Sequence, residues 1–414
     1  MKSVCIPATP PVDIAAFLPL VDHPHFQRLR ERKQLGINHL VFPGAVHTRF
    51  EHTLGVLSLT QRLCRIQGLP DGDARALQAF ALLHDIGHGP FSHQIEPVLA
   101  DSHHDVGLRR IREMAPAIAA CGADPEMMGA MLRRELPLAR WVADRNLGTD
   151  KLDYLMRDAL HIGFFGTPDI LKLQFNTLML PDGHLAFETK YIEDLKQLQK
   201  FYSYLHQHGY LNKTTLIAQR MLQRAILEEL LETRSDGAEL CDMTDHELLT
   251  RLAHLNSPVA RALADQLARR TLQKTILVLK PAGYSFVEPQ NGKSLAIIEA
   301  PHHLLEAFSN DYEDQRRLRD LENRLADHFR CRPGDILVSN MPFFRKLLPQ
   351  DVQIVSRPNG TPFWLLQSDT EHRHSLEADY LRAFAIRITC SPNLRDTLAP
   401  HADDIAQLLR LPTT

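Results

Sequence analysis

Hydrophobic residues recur at helical spacing through the first two thirds of this 414-residue chain, and this periodicity most constrains its fold. After about residue 275 the pattern changes to short β-rich pieces separated by turn residues, among them TILVLKP, YSFVEP, SLAIIEAP, DILVS and AFAIRITC. We find no internal repeat and no low-complexity segment. The pattern predicts a mostly α-helical protein, with a helical domain over residues 1–275 and a smaller mixed α/β lobe over residues 276–414.

Charge and hydropathy argue against two broad classes of function. The chain carries 47 Lys and Arg against 50 Asp and Glu, a formal net charge of −3, so electrostatic binding of nucleic acid is not indicated. No apolar run of about 18 residues predicts a membrane span, and the amino terminus lacks the apolar core of a signal peptide. The six cysteines form no C-x-x-C pair, which is typical of reduced thiols. These features predict a cytoplasmic protein that binds no membrane.

Histidine is in excess, with 22 residues, which makes metal ligation and proton transfer the first chemistry to search for. The pair His84–Asp85 closes an apolar helix where a glycine-rich bend begins. By itself such a pair is weak evidence for a metal site, because chance and helix capping also produce it. His52 upstream and Asp150 downstream strengthen it, because nitrogen and oxygen ligands of this kind suit a divalent metal. Together they predict a two-histidine, two-carboxylate centre with open positions for water and phosphate.

The segment TDKLDYLMRD places polar side chains on one face of a predicted helix. Asp150, Tyr154 and Asp158 recur four residues apart, and Lys151 lies beside them. Burying such a face for packing alone is unfavourable. The face is therefore either an ordinary solvated surface or one wall of a polar site.

Three segments in order resemble the HD-domain phosphohydrolase superfamily: PHFQRLRERKQLGINHLVFPGAVHTRFEHTLGV, LLHDIGHGPFSH and TDKLDYLMRD. Within it, the chain is similar to the branch of deoxynucleoside triphosphate (dNTP) triphosphohydrolases. That branch includes bacterial dGTPase-like enzymes and the vertebrate enzyme that joins a sterile-alpha-motif domain to an HD domain. The resemblance runs through most of the chain and implies an HD-type helical core. It also implies a hydrolase in which water attacks the α-phosphorus of a dNTP and releases a deoxynucleoside and triphosphate.

The resemblance implies a role for each residue of these motifs. The implied ligands of one divalent metal are His52, His84, Asp85 and Asp150. Their residue types leave Mn, Fe, Mg, Co, Ni and Zn open, and a second metal bridged by the substrate is compatible with such a centre. The implied catalytic residues are His88, His93, His104 and Asp105. The implied substrate contacts are Arg49 and Lys151 at the phosphates, Tyr154, Asp158 and Tyr210 at the sugar, and Gln34 and Leu35 at the 3′-hydroxyl.

Two further implications concern regulation and assembly. The residues that match the guanine-reading activator site of the vertebrate enzyme are Asp22, Gln27 and Arg30. The alternative is a purely structural role for their helix, and the segment MKSVCIPATPP does not match the D-P-I-H-G segment of that enzyme. The resemblance also implies a homo-oligomer, a dimer or larger, with a nucleotide as the substrate.

One position departs from the family pattern. Tyr202 stands where relatives carry an arginine that reaches the distal phosphates, and tyrosine cannot supply the same charge-assisted contact. Two alternatives therefore stay open. One is a phosphomonoesterase or phosphodiesterase that acts on other nucleotides or on nucleic-acid ends. The other is a nucleotide-sensing or nucleic-acid-binding scaffold with a weak site. Of the remaining histidines, His103 is expected to be a solvated neighbour, and His206 is either a wall of the site or structural.

Overall fold

The computed structural model describes residues 2–284, 295–356 and 360–409. Helices dominate the amino-terminal part, and short strands are concentrated in the carboxy-terminal part. The predicted mostly α-helical class with a carboxy-terminal α/β region is confirmed. The β-rich piece predicted at YSFVEP falls largely outside the described residues, at 285–289. Among the described residues, no helix combines the length and the apolar character needed to cross a bilayer.

The helices before residue 270 form most of the structure. They are α1 (Leu18–Val21), α2 (Pro24–Gln27), α3 (Arg49–Gln67), α4 (Asp71–Leu83), α5 (His103–Glu113), α6 (Ala115–Ala120), α7 (Pro125–Leu132), α8 (Arg140–Ala143), α9 (Thr149–Ile162), α10 (Ile170–Asn176), α11 (Ile192–Leu205), α12 (Lys213–Thr233), α13 (Asp245–Ala253) and α14 (Pro258–Ala268). A π-helical turn, His206–Tyr210, connects α11 to α12. The later helices are α15 (His302–Asp311), α16 (Gln315–His328), α17 (Leu365–Ser368), α18 (Thr370–Ala383), α19 (Arg395–Leu398) and α20 (Ala402–Leu408).

Short strands complete the fold. They are β1 (Ser3–Val4), β2 (Val12–Asp13), β3 (Thr177–Met179), β4 (Leu185–Glu188), β5 (Lys274–Pro281), β6 (Ala296–Ala300), β7 (Ile336–Ser339), β8 (Gln353–Val355), β9 (Phe363–Trp364) and β10 (Ile386–Cys390). Strands β1 and β2 pair antiparallel near the amino terminus.

Two four-stranded sheets organise the carboxy-terminal part. The first has the order β6-β5-β10-β7, with β5 parallel to β6 and antiparallel to β10. Leu279 lies opposite Ile386 in this sheet, and both side chains are fully buried. The second has the order β3-β4-β8-β9, so it combines strands from both sides of residue 275. The boundary at residue 275 stays a prediction, and the chain on its two sides shares this sheet.

Local sequence signals explain where two long helices, α3 and α9, begin and end. Thr48 caps α3 by accepting a hydrogen bond from the Glu51 N–H, and Gly68 ends the helix in the left-handed conformation with φ 60°. Helix α9 begins after Gly148 and ends at Gly163, where φ is 79°. The two helices pack against each other in the main hydrophobic core. Their polar faces therefore meet inside the protein rather than at its surface.

A buried ion-pair network ties the helical body to the carboxy-terminal sheet. Glu322 of α16 accepts hydrogen bonds from Arg220 at 2.7 and 2.8 Å and from Arg224 at 2.7 Å, both on α12. It also accepts the backbone N–H of Val338 in β7 at 2.9 Å. The side chain of Glu322 is fully buried, so loss of its charge leaves Arg220 without an ion-pair partner among the described residues and Arg224 with Glu228 alone.

We expect Glu322→Ala to lower the free energy of unfolding by about 3–5 kcal/mol, because breaking a buried pair leaves an uncompensated charge. Urea denaturation measures the change. Arg317→Ala is the control, because Arg317 lies on the same helix but is 70% exposed, with its nearest carboxylate at 3.9 Å; its effect should stay below about 1 kcal/mol. Equal effects of the two substitutions would contradict this assignment.

Candidate metal centre and substrate cavity

Three helices bring the four predicted ligands together. His52 lies on α3, His84 and Asp85 directly follow α4, and Asp150 lies in the first turn of α9. The Nε2 atom of His52 is 3.1 Å from Asp150 Oδ1 and 3.7 Å from Asp85 Oδ2. The Nε2 atom of His84 is 3.5 Å from Asp85 Oδ1 and 3.6 Å from Asp150 Oδ1. Donors that lie ~2.0–2.2 Å from one ion are separated from each other by about this much.

Hydrogen bonds at Nδ1 orient both imidazoles. His52 Nδ1 lies 2.8 Å from Asp153 Oδ2, and His84 Nδ1 lies 2.9 Å from the carbonyl oxygen of Ala81. With a metal bound, each ring would keep its proton on Nδ1 and direct the lone pair of Nε2 at the ion. His84 Nε2 is buried and has no hydrogen-bond partner among the described residues. This donor set fits a divalent metal, which would be held by the four predicted ligands.

The electrostatics of the centre also favour a cation. Burial raises the pKa of Asp85, but Arg49 and the neighbouring imidazoles outweigh burial and hold that pKa well below its usual range. Burial likewise raises the pKa of Asp150, and hydrogen bonds from the two histidines produce a net decrease. Burial lowers the pKa of His52, but Asp150 and Asp153 raise it to about 10. Both ligand carboxylates are therefore ionised, and positive charge is stabilised between them.

Arg49 lies at the edge of this centre. Its guanidinium forms an ion pair with Asp85, and its Nε donates a hydrogen bond to Ser92 Oγ at 2.7 Å. Phe91 and Ser92 both adopt positive φ values, 54° and 56°, which non-glycine residues rarely do. The strained turn places the Ser92 hydroxyl under the guanidinium. Arg49 is thus fixed in position for a phosphate group beside the predicted metal ligands.

One cavity of about 410 Å³ unites the metal centre with the predicted substrate contacts. Its walls include these predicted residues: Gln34, Leu35, Arg49, Asp85, His93, Asp150, Tyr154, Asp158 and Tyr210. Tyr210 donates a hydrogen bond to Asp158 at 2.6 Å. His47 contacts the other oxygen of Asp158 at 2.8 Å. Sequence reasoning missed His47, although it belongs to the quoted segment HTRFEH.

The replacement at Tyr202 changes the surroundings of Lys151. The Lys151 ammonium lies 3.0 Å from the centroid of the Tyr202 ring, a close cation–π contact. Burial, and to a smaller extent Arg145, hold the pKa of Lys151 well below its usual range. His206 packs against Tyr202 with ring centroids 4.1 Å apart and lines the cavity, so it is a wall of the site. Burial and then Lys151 lower the pKa of His206 to about 3, which keeps its ring neutral.

A cluster of imidazoles lies beside the metal centre. His88 is fully buried, with its Nε2 3.4 Å from Asp85 Oδ1. The expectation for His103 is wrong, because its side chain is only 16% exposed and packs between other rings. His104 adjoins His103 with ring centroids 4.1 Å apart, and burial lowers its pKa to about 4. Glu96, which sequence reasoning missed, contacts the imidazoles of His88, His93 and His103.

Four residues with predicted functional roles have contacts that are typical of a structural role. The Asp105 carboxylate accepts hydrogen bonds from the N–H and hydroxyl of Ser102 and caps α5, so its contacts give no support to the predicted catalytic role. Gln27 donates to the carbonyl oxygen of Val21 at 2.6 Å and accepts from Arg30 at 2.7 Å. The Arg30 guanidinium also stacks 3.6 Å from the Phe50 ring centroid. Asp22 ends α1. The activator role of Asp22, Gln27 and Arg30 stays a prediction.

Comparison with known proteins agrees with this architecture. The HD domain family matches residues 49–138, and the HD associated region matches residues 204–290. The uncharacterized protein MJ1154 of Methanocaldococcus jannaschii is 30% identical over 343 residues, which cover 82% of this chain and 68% of that protein. The human deoxynucleoside triphosphate triphosphohydrolase SAMHD1 is 26% identical over 342 residues, which cover 67% of this chain and 55% of that enzyme.

Two solved structures share the fold. A phosphohydrolase from Bacteroides thetaiotaomicron superposes with a TM-score of 0.70 at 22% identity, covering 94% of this chain and 100% of that one. A hypothetical protein from Aquifex aeolicus gives 0.69 at 21% identity, covering 96% and 99%. The metal-ligand geometry and the family matches together define an HD-domain protein. This chain belongs to the HD-domain phosphohydrolase superfamily.

We expect Asp153→Asn to weaken metal binding by roughly tenfold or more, because the amide keeps the hydrogen bond to His52 but removes the charge that orients and polarises the ring. Competition with a chromogenic chelator measures the affinity. Asp105→Asn is the control, since Asp105 is an exposed cap outside the cavity. Unchanged affinity in a folded Asp153→Asn protein would show that this carboxylate does not support the centre.

Proposed function

We propose that the protein is a metal-dependent phosphohydrolase of deoxynucleotides, with dNTPs as the substrate class and a deoxynucleoside and triphosphate as the products. The observation that supports it is a single cavity lined by the ligand carboxylates Asp85 and Asp150, the guanidinium of Arg49, and the hydrogen-bonded pair Tyr210–Asp158. Relatives that share 26–28% identity with this chain are named as dNTP triphosphohydrolases. In this proposal the site residues other than Asp105 keep the roles predicted from the family.

The chemistry divides among residues of the cavity. The metal, when bound to His52, His84, Asp85 and Asp150, would supply Lewis acidity and a water molecule of lowered pKa. Arg49 neutralises charge that develops on the α-phosphate, because its guanidinium is fixed by Ser92 and its charge cannot be lost. His93 lies in the cavity wall, where an imidazole can give a proton to the departing 5′ oxygen. His88 and His104 lie behind it.

Deoxyribose recognition rests on polar groups of the opposite wall. Tyr210 holds its hydroxyl against Asp158, and Tyr154 adds an aromatic face. The side-chain carbonyl oxygen of Gln34 is buried and lacks a hydrogen-bond partner among the described residues. A buried acceptor without a donor is unfavourable, and a 3′-hydroxyl from the substrate would satisfy it.

The distal phosphates need cations that Tyr202 cannot provide. Three arginines, Arg134, Arg140 and Arg145, line a separate cavity of about 530 Å³. Among the described residues, Arg145 makes no hydrogen bond or ion pair, and it lies near enough to Lys151 to affect its pKa. In this proposal Lys151 and Arg145 receive the β- and γ-phosphates. A triphosphate would also restore the charge of Lys151 by placing anions beside it.

A second candidate function is hydrolysis of a phosphomonoester or phosphodiester of another nucleotide or of a nucleic-acid end. The close contact between Lys151 and the Tyr202 ring favours it, because a lysine held over an aromatic face is less available to a long polyphosphate. The identity of the metal, a homo-oligomeric assembly and a cytoplasmic location are predictions of the same proposal that rest on the family resemblance and on composition.

Product analysis tests the proposal. Protein loaded with Mn²⁺ or Mg²⁺ is incubated with each of the four dNTPs, alone and with GTP, and with the matching monophosphates. Ion exchange then separates the products. Deoxynucleoside and intact triphosphate are expected. Hydrolysis of monophosphates without dNTP turnover would favour the second candidate, and no turnover of any nucleotide by metal-loaded protein would overturn the proposed function.

The substitution Tyr202→Arg tests the assignment of the distal phosphates. It should raise kcat/KM for dNTPs by about tenfold, the gain from one charge-assisted hydrogen bond of ~1.5 kcal/mol. Tyr202→Phe is the matched control, because it keeps the ring that faces Lys151 without adding a charge. The same kcat/KM in both variants would show that the distal phosphates do not reach this position.

A further inference from the structure

Glu96 lies at the centre of a group of histidines that is separate from the four predicted metal ligands. Its Oε1 atom is 2.8 Å from His103 Nδ1 and 3.3 Å from His88 Nδ1, and its Oε2 atom is 3.2 Å from His93 Nδ1. Ligand atoms from all four side chains lie within 4.8 Å of one another. Two short 3₁₀ turns, Ser92–Gln94 and Glu96–Val98, and the start of α5 at His103 produce this convergence.

Two of the three short distances in this cluster are not hydrogen bonds, whereas His93 Nδ1 is hydrogen-bonded to Glu96 Oε2 at 3.2 Å. The Nδ1 atoms of His103 and His88 and the Oε1 atom of Glu96 are buried and lack a hydrogen-bond partner among the described residues, although they lie only 2.8–3.3 Å apart. The donors are therefore close but do not point at one another. A shared cation would satisfy the unpaired Glu96 Oε1 and His103 Nδ1 atoms, which lie 2.8 Å apart. Leaving them unpaired in a buried site is otherwise unfavourable.

We propose that His93, Glu96 and His103 form a second divalent-metal site, of the two-histidine, one-glutamate type that binds zinc-class cations with an open position. The rings of His93 and His103 are inclined at 85°, so one ion can lie in the plane of both. Glu96 is the oxygen ligand. Three protein ligands and an open position are the arrangement of catalytic rather than structural zinc sites.

His88 separates the two centres instead of serving as a further ligand. Its ring stacks on His103 at 4.1 Å with an interplanar angle of 11°, so an ion in the plane of one ring lies outside the plane of the other. Its Nε2 faces Asp85 at 3.4 Å, and its Nδ1 faces Glu96 at 3.3 Å. A fully buried imidazole thus bridges a carboxylate of each centre and fixes their relative position.

The open position of the second site belongs to the substrate cavity. His93 lines that cavity and is 63% exposed, whereas His103 and Glu96 lie behind it. When this site is occupied, a cation there would stabilise the departing oxygen by charge, and when it is empty His93 gives the proton as proposed above. This catalytic consequence rests on the proposed phosphohydrolase function, but the existence of the site does not depend on the substrate.

Metal content gives a readout that is independent of turnover. The full-length protein is stripped with a chelator, reloaded with Zn²⁺, desalted and analysed by inductively coupled plasma mass spectrometry. Wild type should retain two equivalents per chain, and Glu96→Gln and His103→Gln should each retain one. His104→Gln is the matched control, because it is the next residue on α5 but lies outside the donor group, and it should retain two. Circular dichroism checks that each variant is folded.

Three results would overturn the proposal: one equivalent or none in wild type, two in both folded site variants, or the same loss in the His104→Gln control. The metal content of wild type tests the second site even when a variant fails to fold. One equivalent together with nucleotide hydrolysis would remove the second site and leave the proposed function intact. Two equivalents without hydrolysis of any nucleotide would support the second site and overturn the proposed function.

Discussion

The buried negative charge where α3, α4 and α9 meet is the constraint on which the site depends. Asp85 and Asp153 are buried and Asp150 is partly buried at one point, and burial of carboxylates is unfavourable unless cations or donors surround them. Arg49 and two imidazoles provide part of this compensation inside the protein. A divalent metal would provide the rest. The helix packing therefore creates both a need for a cation and the ligands to hold it.

The same packing places the substrate cavity between two parts of the chain. The helical body contributes the metal centre and the π-helical turn that carries Tyr210. The segment after β7 contributes Asn340, Met341 and Pro342 to the opposite wall. Because Glu322 couples α12 to β7 through buried hydrogen bonds, a displacement of the carboxy-terminal sheet would reach the cavity through rigid elements.

Sequence motifs anticipate that the four predicted ligands lie close together, but they do not anticipate the surroundings of these residues. Ligands such as His84 and Asp150 stand in short motifs whose spacing along helices is local, so their convergence could be anticipated. Glu96 and His103 could not be found in this way, because their contacts depend on two 3₁₀ turns that carry no strong periodicity. The helical class and the strands after residue 275 followed from periodicity. The sheet β3-β4-β8-β9 could not be predicted from periodicity, because it pairs segments more than 160 residues apart.

Attack of water on phosphorus at the metal centre is tested most directly by isotope labelling. Metal-loaded protein hydrolyses its nucleotide substrate in water enriched in ¹⁸O, and mass spectrometry locates the label. We expect the label in the phosphate-containing product, which is triphosphate for a dNTP, and no turnover after chelation of the metal. Label in the released deoxynucleoside would contradict attack on phosphorus, and hydrolysis that persists without metal would contradict a role for metal at the buried histidine–carboxylate centre.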